Sequence, residues 1–195
     1  MPAPRRIQGE VKEPKAQPTP SATTSERRLL RSARRGSEEA TEQIAELLWR
    51  YAYAAALAML GSPAAASDVA QDSVMKALDS LERFDPRRPL RPWINRIATN
   101  TALDLLRSER RRGDVSLKAE PVAPQGAELL LEVIESLQGL EPDVRSMVVL
   151  RHLGGFDSSE IAEILGLKAT TVRSAMSRGL TELAAGPLTA KETTS

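Results

Sequence analysis

The chain has 195 residues, 41% of them apolar and 3% aromatic, and a net charge of +1. That length holds one ordinary domain or two small ones, with cores resting on Leu, Ile, Val, Ala and Met rather than on rings. With no cysteine and one histidine, His152, disulfides, thiolate zinc sites and internal redox chemistry are excluded, and neither metal nor cofactor is expected.

Residues 1–25 contain five prolines, many Ser and Thr and almost no large apolar side chain, so a disordered tail is expected. The first residues lack the apolar core of a signal peptide, and the longest apolar run, Tyr51–Leu60, is too short to span a bilayer. A soluble, cytoplasmic protein is therefore expected, with no direct membrane insertion. The segment SERRLLRSARRG reads as a short basic helix closed by Gly36. A second helix starts at Ser37 and carries Ile44, Leu47, Leu48, Tyr51, Ala55 and Leu57 at helical spacing up to Gly61, after which Pro63 breaks the chain. A third opens at Ser67 or Asp68, burying Ala70, Val74, Ala77, Leu78 and Leu81 and exposing an acidic face of Asp68, Asp72, Asp79 and Glu82.

The stretch from Arg83 to Arg112 holds nine arginines against three acids in a chain that is otherwise nearly neutral. Concentrated charge of this kind attracts a polyanion. Its loop FDPRRPLRP contains three prolines that forbid helix, so a fourth helix is expected from about Trp93 to Arg111. Residues 113–126 are polar and contain Pro and Gly, as a linker between two domains would.

The second domain begins with a helix from about Ala127 to Leu137, carrying Leu130, Val133, Ile134 and Leu137. The next starts at Pro142, uses Val144, Met147, Val148 and Leu150, and stops at Gly154-Gly155. Residues 157–183 then read as a helix-turn-helix. Asp157 and Glu160 form a capping box; Ala162 is small where the helices cross; Gly166 permits the turn; Leu167 plugs the core; Thr170 caps the second helix; Val172, Met176 and Leu180 are buried. Thr171, Arg173, Ser174, Ser177 and Arg178 are left facing outward, where they could reach phosphates and base edges in a major groove. An αα-hairpin with no DNA role has the same outline.

An acidic helix, a basic loop and helix, a linker and a helix-turn-helix, in that order, resemble the extracytoplasmic-function group of sigma factors, two-domain members of the sigma-70 family. The resemblance is carried by SDVAQDSVMKAL, RFDPRRPLRPWINRIATNTALDLLR and LEPDVRSMVVLRHLGGFDSSEIAEILGLKATTVRSAMSRGL, and spans about residues 26–185. It implies an all-α fold of two small helical domains, a region 2-like one at 26–112 and a region 4-like one at 127–185, with a flexible tail at 186–195. It also implies a protein that binds core RNA polymerase, recognises −10 and −35 promoter elements and promotes DNA melting, with no catalysis of its own and no small-molecule substrate. The partners implied are the clamp helices of β′, the flap of β, promoter DNA and an anti-sigma factor, in a bacterial cytoplasm. The alternative is a polymerase-independent helix-turn-helix transcriptional regulator.

Carried over by position, Asp68, Val69, Gln71, Asp72 and Met75 match the family's polymerase-docking helix. Arg87, Arg88, Arg91, Trp93, Asn95, Arg96, Asn100 and Arg107 match its −10 reader, and Thr170, Thr171, Arg173, Ser174, Ser177 and Arg178 its −35 reader. Asn95, Arg96 and Asn100 lie on successive turns and can face one strand. Two roles are open to Trp93: stacking on a base, or anchoring the core beneath the loop. Arg110, Arg111 and Arg112 continue the track along phosphate, adding affinity but no sequence information.

Overall fold

The computed structural model describes residues 22–112 and 128–185. Residues 1–21, 113–127 and 186–195, and with them most of the expected tail and the whole linker, lie outside the described residues. Among the described residues the chain is helical, with no strand. No helix among them is long and apolar enough to cross a membrane.

Helix α1 (Thr24–Ala33) begins earlier than composition suggests. The Thr23 hydroxyl accepts the Glu26 N–H at 3.1 Å, and the Glu26 carboxylate accepts the Thr23 N–H at 2.7 Å. This reciprocal cap draws residues 22–25, expected in the tail, into the fold, and Ala22 is buried. Helix α2 (Glu38–Leu60) is capped by Ser37 and stopped by Gly61, whose φ of 70° needs glycine.

Pro63 does not break the chain after α2; it opens α3 (Pro63–Ser80) at the first helical position, with Ser62 as the cap. A proline costs nothing there, because the N–H it lacks would have no helical partner. The same reasoning corrects the start of α4 (Leu90–Arg112), three residues before Trp93. Pro92 falls in its first turn and interrupts no internal hydrogen bond.

Helices α1 to α4 enclose a core of Leu30, Ile44, Leu48, Met59, Leu90, Ile94 and Leu103, all almost wholly buried. Burying each such side chain contributes about 1.5–3 kcal/mol before entropy is counted. Ala52, Ala55, Ala56 and Ala58 of α2 are buried beside them, small enough to let α3 and α4 approach closely.

The second unit comprises α5 (Glu128–Gln138), α6 (Pro142–His152), α7 (Ser158–Leu165) and α8 (Ala169–Ala185). Its core is Met147, Leu150, Ile161, Ala162, Val172, Ala175 and Met176. Four residues expected to be inside are exposed: Leu167, Leu180 and, on α5, Leu130 and Val133. Leu167 follows the turn glycine and points away once Gly166 takes its left-handed conformation, at φ 68°.

Helix α6 joins the two units. Residues Arg145 to Leu150 are all buried, which no amphipathic surface helix would show. Met147 and Leu150 face the second core, whereas Val149 belongs to the first. Leu137, Leu153 and Leu165 also pack against the first core, so the two units share one interface.

Candidate nucleic-acid interface

The basic loop is shaped by short local bonds. After a 3-10 turn (Leu81–Arg83), the Phe84 N–H reaches Leu81 O at 3.3 Å. Asp85 then turns the chain: its carboxylate accepts the Arg87 N–H at 2.9 Å and its carbonyl accepts the Arg88 N–H at 3.0 Å. Phe84 is buried, its ring 4.3 Å from that of Trp93. The Trp93 ring is half-buried, packed beneath the loop and against the first core.

Arg87, Arg88, Arg91, Arg96 and Arg107 are exposed, and Asn100 is half-exposed. The Arg91 guanidinium lies over the Tyr51 ring, 5.6 Å from its centre. Arg83, Arg87, Arg88 and Arg96 line an open cleft of about 780 Å³, whose far wall is Phe156, Glu160 and Glu163 of the second unit. The structure thus gathers the loop arginines and Arg96 on one surface.

Asn95 is not on that surface. It is 2% exposed, under α6, and its amide donates to Leu153 O at 2.6 Å. Its Oδ1, and the Thr99 hydroxyl one turn on, have no protein partner. Farther along α4, Arg107 pairs with Asp143 at 2.7 Å and Arg110 with Glu141 at 3.4 Å. Both pairs are exposed, so each contributes little, about 0–1 kcal/mol. The acids at the start of α6 nonetheless sit where phosphates would have to sit to use these arginines.

On α3, Asp68, Gln71, Asp72 and Met75 form one exposed stripe, with Met75 58% exposed. Val69 is buried on the opposite side and supports the stripe from within the core. On α8, Thr170, Thr171, Arg173, Ser174, Ser177 and Arg178 are all exposed, while Val172, Ala175 and Met176 are buried. Thr170 is not the cap: α8 starts at Ala169, and the first helical bond runs from the Val172 N–H to Lys168 O at 3.1 Å. The predicted box at α7 is present, Asp157 Oδ1 accepting from Ser159 and Glu160 at 2.8 and 2.9 Å.

Two residues that pattern reasoning passes over matter here. Arg145, 6% exposed, donates to Met59 O, to Gln138 Oε1, to Gln138 O at 2.8 Å and to Leu140 O at 2.9 Å. One guanidinium thereby caps the C-terminal ends of both α2 and α5, where carbonyls lack helical partners and carry partial negative charge. Burial lowers its pKa to about 10, against the opposing pull of Glu141, so it stays charged at neutral pH. Gln138 adds a bond from its amide to Ala58 O at 3.1 Å. Arg34 of α1's C-terminus donates to Leu81 O at 2.9 Å and to Phe84 O.

Comparison with known proteins decides what carries these surfaces. The Sigma-70 region 2 family matches residues 42–112, and the Sigma-70, region 4 family matches residues 130–183. The sigma factor CnrH of Cupriavidus metallidurans is 33% identical over 135 residues, covering 60% of this chain and 71% of that one. The chain belongs to the sigma-70 family, in its extracytoplasmic-function group.

The ECF sigma factor SigW of Bacillus subtilis is 27% identical over 78% of this sigma factor and 91% of its own length. Among solved structures, CnrH in complex with the cytosolic domain of CnrY superposes with a TM-score of 0.58 at 28% identity, over 83% of this chain and 96% of that one. RpoE of Bartonella quintana in complex with the anti-sigma factor NepR gives 0.57 at 25% identity, over 73% and 92%. A helix-turn-helix regulator acting alone has no need of region 2, and the match there sets that alternative aside. As a sigma factor of this family, the protein binds core RNA polymerase and promoter DNA and directs transcription initiation.

Proposed function

We propose the following division of labour within this sigma factor. The exposed stripe of α3 (Asp68, Gln71, Asp72, Met75), held from beneath by Val69, docks on the clamp helices of β′, and the 128–185 unit reaches the β flap. The 84–92 loop, Trp93 and the exposed side of α4 hold the −10 strand, with Arg87, Arg88, Arg91, Arg96 and Arg107 on phosphate and Asn100 facing bases. Helix α8 enters the major groove of the −35 element. The observation that carries this reading is the arrangement on α8 and beside the loop: six polar side chains are exposed on α8, and Arg87, Arg88 and Arg96 line one cleft of the loop and α4.

Asn95 reads a base only after α6 lifts away, since Leu153 O occupies its amide. The docked arrangement is therefore one the protein leaves on its way to a promoter. CnrH and RpoE are held by CnrY and NepR in their solved complexes, and by analogy an anti-sigma partner is expected here. With no cysteine, the chain leaves any thiol-based signal to that partner. The protein acts in the bacterial cytoplasm, supplies binding energy and specificity, and leaves bond-making to the polymerase.

The test is run-off transcription with core polymerase on a promoter library, with and without the protein. Sequence-selective initiation should require it. Arg173→Ala with Arg178→Ala should lower output on promoters with a −35 element by about tenfold to a hundredfold, as loss of two groove contacts at about 1–3 kcal/mol each implies. Unchanged output would remove α8 from the −35 assignment.

A further inference from the structure

The region 2 match begins at residue 42, yet the basic loop is held by residues before it. Arg34 grips the carbonyls of Leu81 and Phe84, at the entrance to the loop. The Ala22 N–H reaches the carbonyl of Arg87 at 3.3 Å, in the middle of it. Ala22 is itself fixed, buried and accepting from Arg27 Nε at 3.1 Å. The capping box of Thr23 and Glu26 sets where α1 starts, and Leu30, fully buried, sets its rotation on the core. The loop's own bonds span only two or three residues and would not orient it against the rest of the fold.

We propose that the segment from Ala22 to Arg34 is a brace for the −10 loop, with Arg34 and Ala22 as positioning residues that hold the loop in the shape that captures an extruded strand. This rests on the reading that the loop contacts the −10 element. Three carbonyls fix the path of the backbone while the side chains of Arg87 and Arg88 stay free for phosphate. An arginine suits the task because its rigid guanidinium plane holds the two N–H bonds of one terminal nitrogen toward both carbonyls, whereas a lysine ammonium has the donors but a shorter, rotating head that does not hold them in place. The brace acts where geometry matters most, in trapping bases as they leave the duplex, a step that tolerates little misplacement.

The experiment uses the full chain with core polymerase on two templates of one promoter, a duplex and a version premelted across the −10 region. Opening is read by 2-aminopurine fluorescence, output by run-off, and core binding by anisotropy. For Arg34→Ala, opening of the duplex should slow about tenfold, the loss expected for a charged donor on two carbonyls. Core affinity and output on the premelted template should stay within about twofold, since pre-opened DNA bypasses the step. Arg34→Lys should recover only part of the rate. Ala22→Pro, which removes one N–H and leaves Arg34 intact, should give the same pattern more weakly, and it stands as the test should Arg34→Ala fold poorly. Equal losses on both templates, or lost core affinity, would overturn the brace in favour of general destabilisation. The double variant Arg87→Ala with Arg88→Ala tests the underlying reading. If it is impaired on the duplex while Arg34→Ala and Ala22→Pro behave as the parent, the brace alone is wrong. If it also behaves as the parent, the loop assignment fails and the brace with it.

Discussion

In Arg145→Ala the two helical units come apart. The substitution removes this side chain's donors to Met59 O, across the interface, and to Gln138 O and Leu140 O within the second unit, and leaves those largely buried carbonyls without them. Hydrogen bonds from a charged donor contribute about 1.5–3 kcal/mol, and a buried acceptor left unpaired costs a further 1–3, so a loss on the order of 3 kcal/mol is expected. What remains between the units is the Gln138 and Asn95 amides, two exposed ion pairs, and the apolar contacts of Val149, Leu137, Leu153 and Leu165 with the first core. Small-angle scattering should show a larger radius of gyration, with helix content by circular dichroism nearly unchanged. Uncovering Asn95, Arg107 and Arg110 should at the same time raise affinity for a single-stranded −10 oligonucleotide. A variant that scatters and melts like the parent would show that Arg145 does not hold the units together.

Gly179 predicts a second large effect, opposite in sign to helix propensity. Alanine in place of an interior glycine ordinarily stabilises a helix by about 1 kcal/mol. Here a Cβ at position 179 would lie 2.5 Å from Val144 Cγ1 and 3.6 Å from Leu140 Cδ2. Val144 is β-branched and stiff, so α8 and α6 must move apart. Overpacking of this kind costs about 1–3 kcal/mol, which outweighs the propensity gain. Gly179→Ala should lower the melting temperature of the region 4 unit, and Gly179→Leu should unfold it at ordinary temperature and abolish −35-dependent output. Val144→Ala in the Gly179→Ala background should restore part of the loss by making room. A Gly179→Ala protein more stable than the parent would refute the close approach.

Features set by neighbouring residues are legible in the sequence. The capping box of Asp157 and Glu160, the stops at Gly61 and Gly166 and the buried faces of α2 and α3 all follow from spacing within one helix. The basic patch was readable because charge density needs no partner to be seen. Prolines misled where only their breaking role was considered: Pro63 and Pro92 sit in first turns. Leu167 and Leu180 misled because apolar character alone does not fix direction next to a turn or near a helix end.

The contacts between residues far apart in the chain were illegible for a different reason. Arg34 meets Phe84 across 50 positions, Asn95 meets Leu153 across 58 and Arg145 meets Met59 across 86. No local period points to such pairs. Arg145, between Val144 and Ser146, reads as the solvent face of its helix, and only the presence of α2 on that side reverses the reading. Asn95 is similar: its helical position is right for a strand contact, and its burial depends on a helix that starts 47 residues later.

Helix α6 has one more consequence. Because it belongs to two cores, its amides should be the slowest in the region 4 unit to exchange with deuterated solvent while the units are docked. On opening, protection should fall along the Val149 edge and persist along the Met147 and Leu150 edge. The edge laid bare is apolar and gains nothing from water. An opened molecule is thus sticky on the side that has just lost its neighbour, and short-lived unless another surface replaces the one it gave up.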